Sequence, residues 1–403
     1  MTAPGIVVVG AGPAGMRCAE RIAATGRTVT LIGEEPAAPY DRVALSRYLA
    51  REVTADDLTT HRAADLESAG IRHLPGTRVT AIDRSARHVS LQDGPALPYT
   101  TLVLTTGATS VRLDLPGASL PGVLPYRTLA DVQAMIDAAA GGGDAVVIGG
   151  GLLGLEAASG LAERGMRVTV LHAVDRLMER QLDHAAARRL ACHLAARGIA
   201  SITEARTVAI EGTDRTERVR LADGRVLPAR LVVMAVGIRP NTTLAREAGL
   251  PVGRGVLVDD AMRTADPAIL AAGECAEHDG QCVGLVLPAL AQAEVAARTA
   301  CGQPARYRPA TDAAALKVAG APVWSAGEID AADADSVVLD DPDGAYRRLL
   351  LRDEQLIGAI LYGAVEDAPW YMRLIRQGAP VGRLRDALPF GPAYAEAMTG
   401  AAA

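Results

Sequence analysis

At 403 residues the chain exceeds one ordinary core of about 100 to 200 residues, so two or three domains are expected. Apolar residues make up 49% but aromatics only 3%, with one phenylalanine, so Ala, Val, Leu and Ile must fill the cores. A formal charge of -6 leaves no basic footprint for nucleic acid and excludes it as an expected partner.

The chain begins on a buried-strand pattern at residues 6–9, with no basic leader or cleavage site before it. No apolar run approaches the roughly 18 residues of a membrane span, so no membrane partner is expected. Cys18, Cys192, Cys275, Cys282 and Cys301 are odd in number and scattered, which reads as reduced thiols in a cytoplasmic protein. Cys275 and Cys282 lack the four-ligand set and spacing of a cluster or zinc site, and no metal is expected.

Two strand-turn-helix-strand units organise the first 300 residues. The first runs from the strand at 6–9 through Gly10-Ala11-Gly12-Pro13-Ala14-Gly15 and a helix to about Thr25, then a strand at 28–32. The second runs from a strand at 145–148 through Gly149-Gly150-Gly151-Leu152-Leu153-Gly154 and a helix to about Arg164, then a strand at 167–171. In such a turn the first glycine permits the bend, the second lets phosphate reach the backbone, and the third lets helix pack on strand. The helix N-terminus adds free N–H groups and partial positive charge. Two copies in this context imply two dinucleotides.

Behind the first turn an acidic residue should meet the adenosine ribose. Glu34 is the first choice and Glu35 the second, the alternative being a solvated acidic pair. Behind the second turn the matching residue is His172, so no carboxylate there repels a 2′-phosphate, and Arg176 is a candidate to meet it. His172 reads equally as a polar strand end, and Asp175 could neutralise Arg176. The choice between NADH and NADPH stays open. After about residue 305, short alternating strands at 336–339 and 346–351 and Asp-rich turns imply a third, α+β domain.

The first turn, Thr105-Thr106-Gly107, the second turn, Gly237-Ile238-Arg239-Pro240-Asn241 and residues 264–274 occur in an order that resembles the two-dinucleotide-fold flavoprotein disulfide-reductase superfamily. The resemblance implies an α/β protein with two Rossmann-like domains, the NAD domain inserted in the FAD domain, and a small α+β C-terminal domain. The implied FAD domain is discontinuous, 1–115 and 245–305, the NAD(P) domain is 116–244 and the C-terminal domain 306–403. FAD would lie on the first turn near Thr106, Gly107, Gly273 and Glu274, and NADH or NADPH on the second, near Gly237. In the segment Pro39-Tyr40-Asp41-Arg42-Val43-Ala44-Leu45-Ser46-Arg47 no cysteine stands where disulfide reductases need a thiolate. That segment is similar to the one in rubredoxin, ferredoxin and nitrite reductase flavoproteins. Arg42 would then contact FAD, with Ser46 and Arg47 near the isoalloxazine. The alternative is that both arginines are surface charges.

Leu152-Leu153-Gly154-Leu155-Glu156, Leu177-Met178-Glu179-Arg180-Gln181-Leu182-Asp183 and Gly273-Glu274-Cys275 resemble the FAD module of the NAD(P)H-dependent nitrite reductase large subunit. Leu316-Lys317-Val318-Ala319-Gly320 and Leu361-Tyr362-Gly363 extend the likeness through the tail. That subunit continues into iron-sulfur and sirohaem parts absent from this sequence, so nitrite reduction itself is not expected here. The resemblance implies NAD(P)H oxidation at FAD and electron transfer to an iron-sulfur, sirohaem or molybdenum reductase protein in nitrate or nitrite assimilation. A ferredoxin or rubredoxin reductase serving an oxygenase, and a non-enzymatic FAD-binding redox sensor or scaffold, are the alternatives; a homodimer is open. Glu156 resembles the family glutamate that positions nicotinamide, or is simply an acid complementing the helix dipole. Trp324 and Trp370, with Arg373, Arg376, Arg383 and Arg385, are expected as an acceptor-docking patch, against the alternative of core tryptophans and a solvated arginine face.

Overall fold

The computed structural model describes residues 5–309, 313–318, 320–341 and 344–400. Strand Gly5–Val9 is an almost wholly buried Val/Ile run. It pairs in parallel with Val29–Ile32 on one side and Leu97–Leu104 on the other. Such a run suits a central strand with both faces covered. Ile71–Leu74 extends one edge of the sheet. At the other edge Ile269–Ala271 pairs with Leu97–Leu104, although about 165 residues separate them. That pairing joins the sequence on either side of the second unit into one sheet. Helix Pro13–Ala23 packs on helix Val286–Ala300 through Cys18, Ala19 and Ile22 against Ala289, Ala293 and Ala296, where small side chains permit close approach.

The inserted domain repeats the plan. Its five parallel strands run in the order Ile199–Ile202, Arg167–Leu171, Asp144–Ile148, Leu231–Met234 and Val123–Pro125. The two crossings between domains lie side by side, since Ala108–Ser110 pairs antiparallel with Ile238–Pro240. The chain is therefore an α/β protein with one dinucleotide-binding fold inserted in another.

The C-terminal domain is a five-stranded antiparallel sheet, in the order Ala313–Val318, Ala321–Gly327, Gln355–Tyr362, Tyr346–Arg352 and Asp335–Asp340, carrying helix Ala368–Gln377. Ala319 of the tail motif lies outside the described residues, as do residues 401–403. Trp324 departs from the expected docking patch. It is 4% exposed in the core with Leu361 and Tyr371, because its strand alternates and this face carries the helix. Trp370 is half-buried, while Arg373, Arg376, Arg383 and Arg385 stay exposed. No helix among the described residues is long and apolar enough to cross a membrane.

Candidate active site

Both glycine turns are built by the same close approaches. A side chain at Gly15 would meet the Gly10 carbonyl oxygen at 1.7 Å, and one at Gly154 would meet that of Gly149 at 1.9 Å. Gly10 and Gly149 have φ of 112° and 120°, and a side chain on either would strike the neighbouring strand end, Thr105 O or Ala235 O. Gly12 and Gly151 differ: nothing of the protein lies within 4 Å of the space a side chain would take. They are the N-cap residues of helices Pro13–Ala23 and Leu152–Glu163, and no side chain caps either helix. Open space before an uncapped helix end is what a pyrophosphate needs. Leu152 and Leu153 form the first turn of the second helix, with Leu153 44% exposed.

Around the first cradle the polar groups form one network. The Thr105 hydroxyl donates to the carbonyls of Val9 and Gly10 at 3.0 and 2.9 Å, locking the turn to the next strand. Thr106 donates to Asn241 O at 2.8 Å, tying the two domain crossings together beside Gly107 and Gly237. Arg42 donates to Glu35 at 2.5 Å and to Arg127 O at 2.9 Å, and Tyr40 donates to Glu35 at 2.7 Å. Burial and the neighbouring carboxylate push the Tyr40 hydroxyl well above its ordinary range, although Arg42 opposes this. Arg127 in turn pairs with Glu274, whose neighbour Gly273 donates its N–H to Gln292 at 2.9 Å. Gln292 is fully buried and its Nε2 has no partner among the described residues, nor has the buried Nε2 of His73 beside Gly33. Unpartnered buried polar atoms and an open, uncapped turn fit a polar cofactor bound there. Glu34 stands at the mouth of the turn, more than half exposed and bound by Arg78 at 2.8 Å.

A family model described as pyridine nucleotide-disulphide oxidoreductase matches residues 4–300, and one for the rubredoxin NAD+ reductase C-terminal domain matches 313–379. The chain belongs to the pyridine nucleotide-disulphide oxidoreductase family. It is 40% identical over 368 residues to the assimilatory nitrate reductase electron transfer subunit of Bacillus subtilis (strain 168), covering 90% of this chain and 48% of that protein. It is 39% identical over 400 residues to nitrite reductase [NAD(P)H] of the same organism, covering 98% of this chain and 50% of that protein. The chain thus spans about half the length of these curated relatives. The solved covalent putidaredoxin reductase-putidaredoxin complex matches with a TM-score of 0.88 and 27% identity, covering 100% of both chains. As a member of this family, the chain is an NAD(P)H-dependent FAD oxidoreductase.

In this oxidoreductase Glu156 sits in the first two turns of the second cradle helix, where it meets the other domain. Ser46 and buried Tyr126 lie alongside it, the Ser46 hydroxyl donating to Val43 O at 3.4 Å. Burial raises its carboxyl to about 7, the nearby Ser46 hydroxyl opposing that rise. Arg47, expected near the isoalloxazine or as a surface charge, lies away from this carboxylate. Helix Leu45–Leu49 buries Leu45 and Leu49, which turns Arg47 to the opposite face, 58% exposed and paired with Glu52 at 3.3 Å. Ser46, one residue earlier, is the one that lies near Glu156.

At the far end of the second cradle, His172 accepts the Gly150 N–H and contacts Glu179. Arg176 departs from the expected phosphate contact. The loop wraps around it, and its guanidinium is committed to the carbonyls of Leu182 at 3.1 Å and Glu179 at 3.3 Å and to Asp175 at 3.2 Å. Motif reading missed Thr105, Tyr40, Arg127, Tyr126, Gln292 and Glu179. Tyr40, Thr105 and Glu179 lay inside quoted segments without being singled out. Arg127 and Gln292 belong to no motif, and only the fold brings them to the turn.

Proposed function

We propose that this chain oxidises NADH or NADPH and delivers the electrons to a redox protein of nitrate or nitrite assimilation, an iron-sulfur, sirohaem or molybdenum reductase. The observation that carries this is two open cradles in one chain without an accessible thiol on the flavin side. Segment 39–47 holds no cysteine, and Cys18 and Cys275 are buried, their thiols raised above the ordinary value by desolvation. Electrons therefore have no disulfide relay there and must leave toward an external acceptor. Bound FAD supplies the conversion of hydride delivery into single-electron release.

The protein's part is positional. Gly12 with its uncapped helix, and Gly273 with Glu274, would hold the flavin cofactor; Gly151 and its helix would hold the nicotinamide nucleotide. Helix Leu45–Leu49 packs on helix Leu152–Glu163 and brings Ser46 near Glu156 where the two dinucleotide domains meet, and near neutral pH Glu156 holds or releases a proton there. The likeness over 90% of this chain to the assimilatory electron transfer subunit supports the choice of acceptor.

Steady-state oxidation of NADH or NADPH should proceed with ferricyanide and accelerate with a nitrate or nitrite reductase partner. Ferricyanide turnover without any turnover on such partners would overturn the assignment. A ferredoxin or rubredoxin acceptor is the second reading, favoured by the full-length overlap with the putidaredoxin reductase chain. Turnover on a small ferredoxin or rubredoxin in place of the assimilatory reductases would select it.

A further inference from the structure

The residue just beyond the second strand of a Rossmann unit faces the adenosine ribose. In the inserted domain that residue is His172, directly after strand Arg167–Leu171, and both ring nitrogens are already spent within the protein. Gly150 N lies 3.0 Å from Nδ1, and a backbone N–H can only donate, so Nδ1 carries no proton. The ring proton is therefore on Nε2, which donates to Glu179 Oε2 at 3.0 Å. The imidazole is 11% exposed and the carboxylate 36%, so the group presented outward is the carboxylate.

The loop holds this arrangement in place. Met178, next to Glu179, donates its N–H to Gly150 O at 3.0 Å, so Gly150 binds both ends of the His172–Glu179 link. Met178 is a non-glycine residue at φ 53°, a left-handed turn that the surrounding contacts must maintain. Gly150 must be glycine for the same reason, since a side chain there would stand 2.8 Å from the His172 ring and 2.6 Å from Leu177. Nor is the charge cancelled. Arg176 binds the Glu179 carbonyl and other groups, and among the described residues Arg180 makes no ion pair with the carboxylate, whose Oε1 accepts no hydrogen bond.

We propose that Glu179, held by His172, is the residue that reads the adenosine ribose and makes this chain select NADH over NADPH. A carboxylate there accepts from a ribose hydroxyl and repels a 2′-phosphate. His172 is a positioning residue, fixing the carboxylate through a neutral ring. The negative charge missing from the strand end is thus returned by a residue seven positions later. The proposal rests on the second cradle holding the nicotinamide nucleotide and is independent of the electron acceptor.

The test is equilibrium binding of 5′-AMP and 2′,5′-ADP to the FAD-loaded protein by titration calorimetry, at low and high salt, for the wild type, Glu179→Gln and Glu179→Arg. The wild type should favour 5′-AMP. Glu179→Gln should move the ratio toward 2′,5′-ADP by about tenfold or more, and Glu179→Arg further still. In the wild type the discrimination should shrink with salt, and in Glu179→Gln it should not. Wild-type preference for 2′,5′-ADP would overturn the proposal and point to Arg180. An unchanged ratio in Glu179→Gln, or equal loss of both ligands with FAD retained, would overturn it by making the residue structural. Should Glu179→Gln lose its flavin, Glu179→Ser is read in its place by the same ratio. Because no acceptor is present, failure of the nitrate or nitrite assignment leaves this result untouched.

Discussion

Glycines 12 and 15 are three residues apart, yet their roles separate cleanly. Gly12 has φ -74° and open space where a side chain would go, so Gly12→Val should leave the apo fold near wild-type stability while abolishing FAD binding. At Gly15 the Gly10 carbonyl stands 1.7 Å away, so Gly15→Ala must displace the turn itself. Flavin absorbance and thermal unfolding of both variants check this: a Gly12→Val protein that keeps its flavin shows the cradle is misassigned. Glu156 carries a pH prediction. Its folded-state value of about 7 lies above the ordinary 4.5, so the protonated carboxyl is accommodated below pH 4.5. Stability is then lost as pH rises through about 7, because the buried group must ionise. The difference corresponds to on the order of 3 kcal/mol at most, and partial solvent contact lowers it. Apo Glu156→Gln should therefore gain melting temperature relative to wild type at pH 8 but little at pH 5. Equal differences at both pH values would show that Glu156 does not titrate in this range.

At the scale of elements, the polar seam round the flavin side joins parts distant in sequence. Arg127 precedes helix Leu129–Ala139 of the inserted domain, and Glu274 follows strand Ile269–Ala271 of the first sheet. Their side chains are 15% and 22% exposed, so the pair is largely desolvated. Removing one partner strands the other, and Arg127→Met should cost about 2 kcal/mol in urea unfolding and loosen flavin retention. The double variant Arg127→Met with Glu274→Gln should recover much of that loss, because neither charge is then left alone. Strictly additive losses would mean the two groups act separately.

At the scale of the whole molecule, the C-terminal sheet is fastened to the inserted domain. Tyr346 donates to Asp183, Arg348 lies 3.5 Å from the same carboxylate, and Arg189 pairs with Asp340. One face of the sheet, with Val323, Tyr346 and Ile360, packs on the inserted domain, while helix Ala368–Gln377 packs on the other. With Trp324 withdrawn into the core, the expected docking patch reduces to the exposed arginines, of which Arg385 is already paired with Asp335 at 2.9 Å. Arg373 and Arg376 on that helix remain exposed. Charge reversal at both should slow reduction of an acidic protein acceptor and weaken its salt dependence while leaving ferricyanide reduction intact. If protein-acceptor reduction is unchanged, docking lies elsewhere.

The two cradles were legible from sequence because their chemistry is local. Gly10, Gly12 and Gly15, and likewise Gly149, Gly151 and Gly154, serve backbone demands that arise within a few residues of each other. The insertion of one domain in the other was implied by the family resemblance and is realised by the pairing of Ile269–Ala271 with Leu97–Leu104. Side-chain destinations were legible only where one element decides them. Ser46 and Arg47 are adjacent in sequence, but the burial of Leu45 and Leu49 sends one toward Glu156 and the other to solvent. Arg176 and Glu179 were the reverse of their apparent charges: carbonyls of the folded loop consume the arginine, and His172 turns the glutamate outward. Spacing along a chain determines backbone geometry, whereas the position of a charge depends on which distant groups compete for it, and only the tertiary structure decides that.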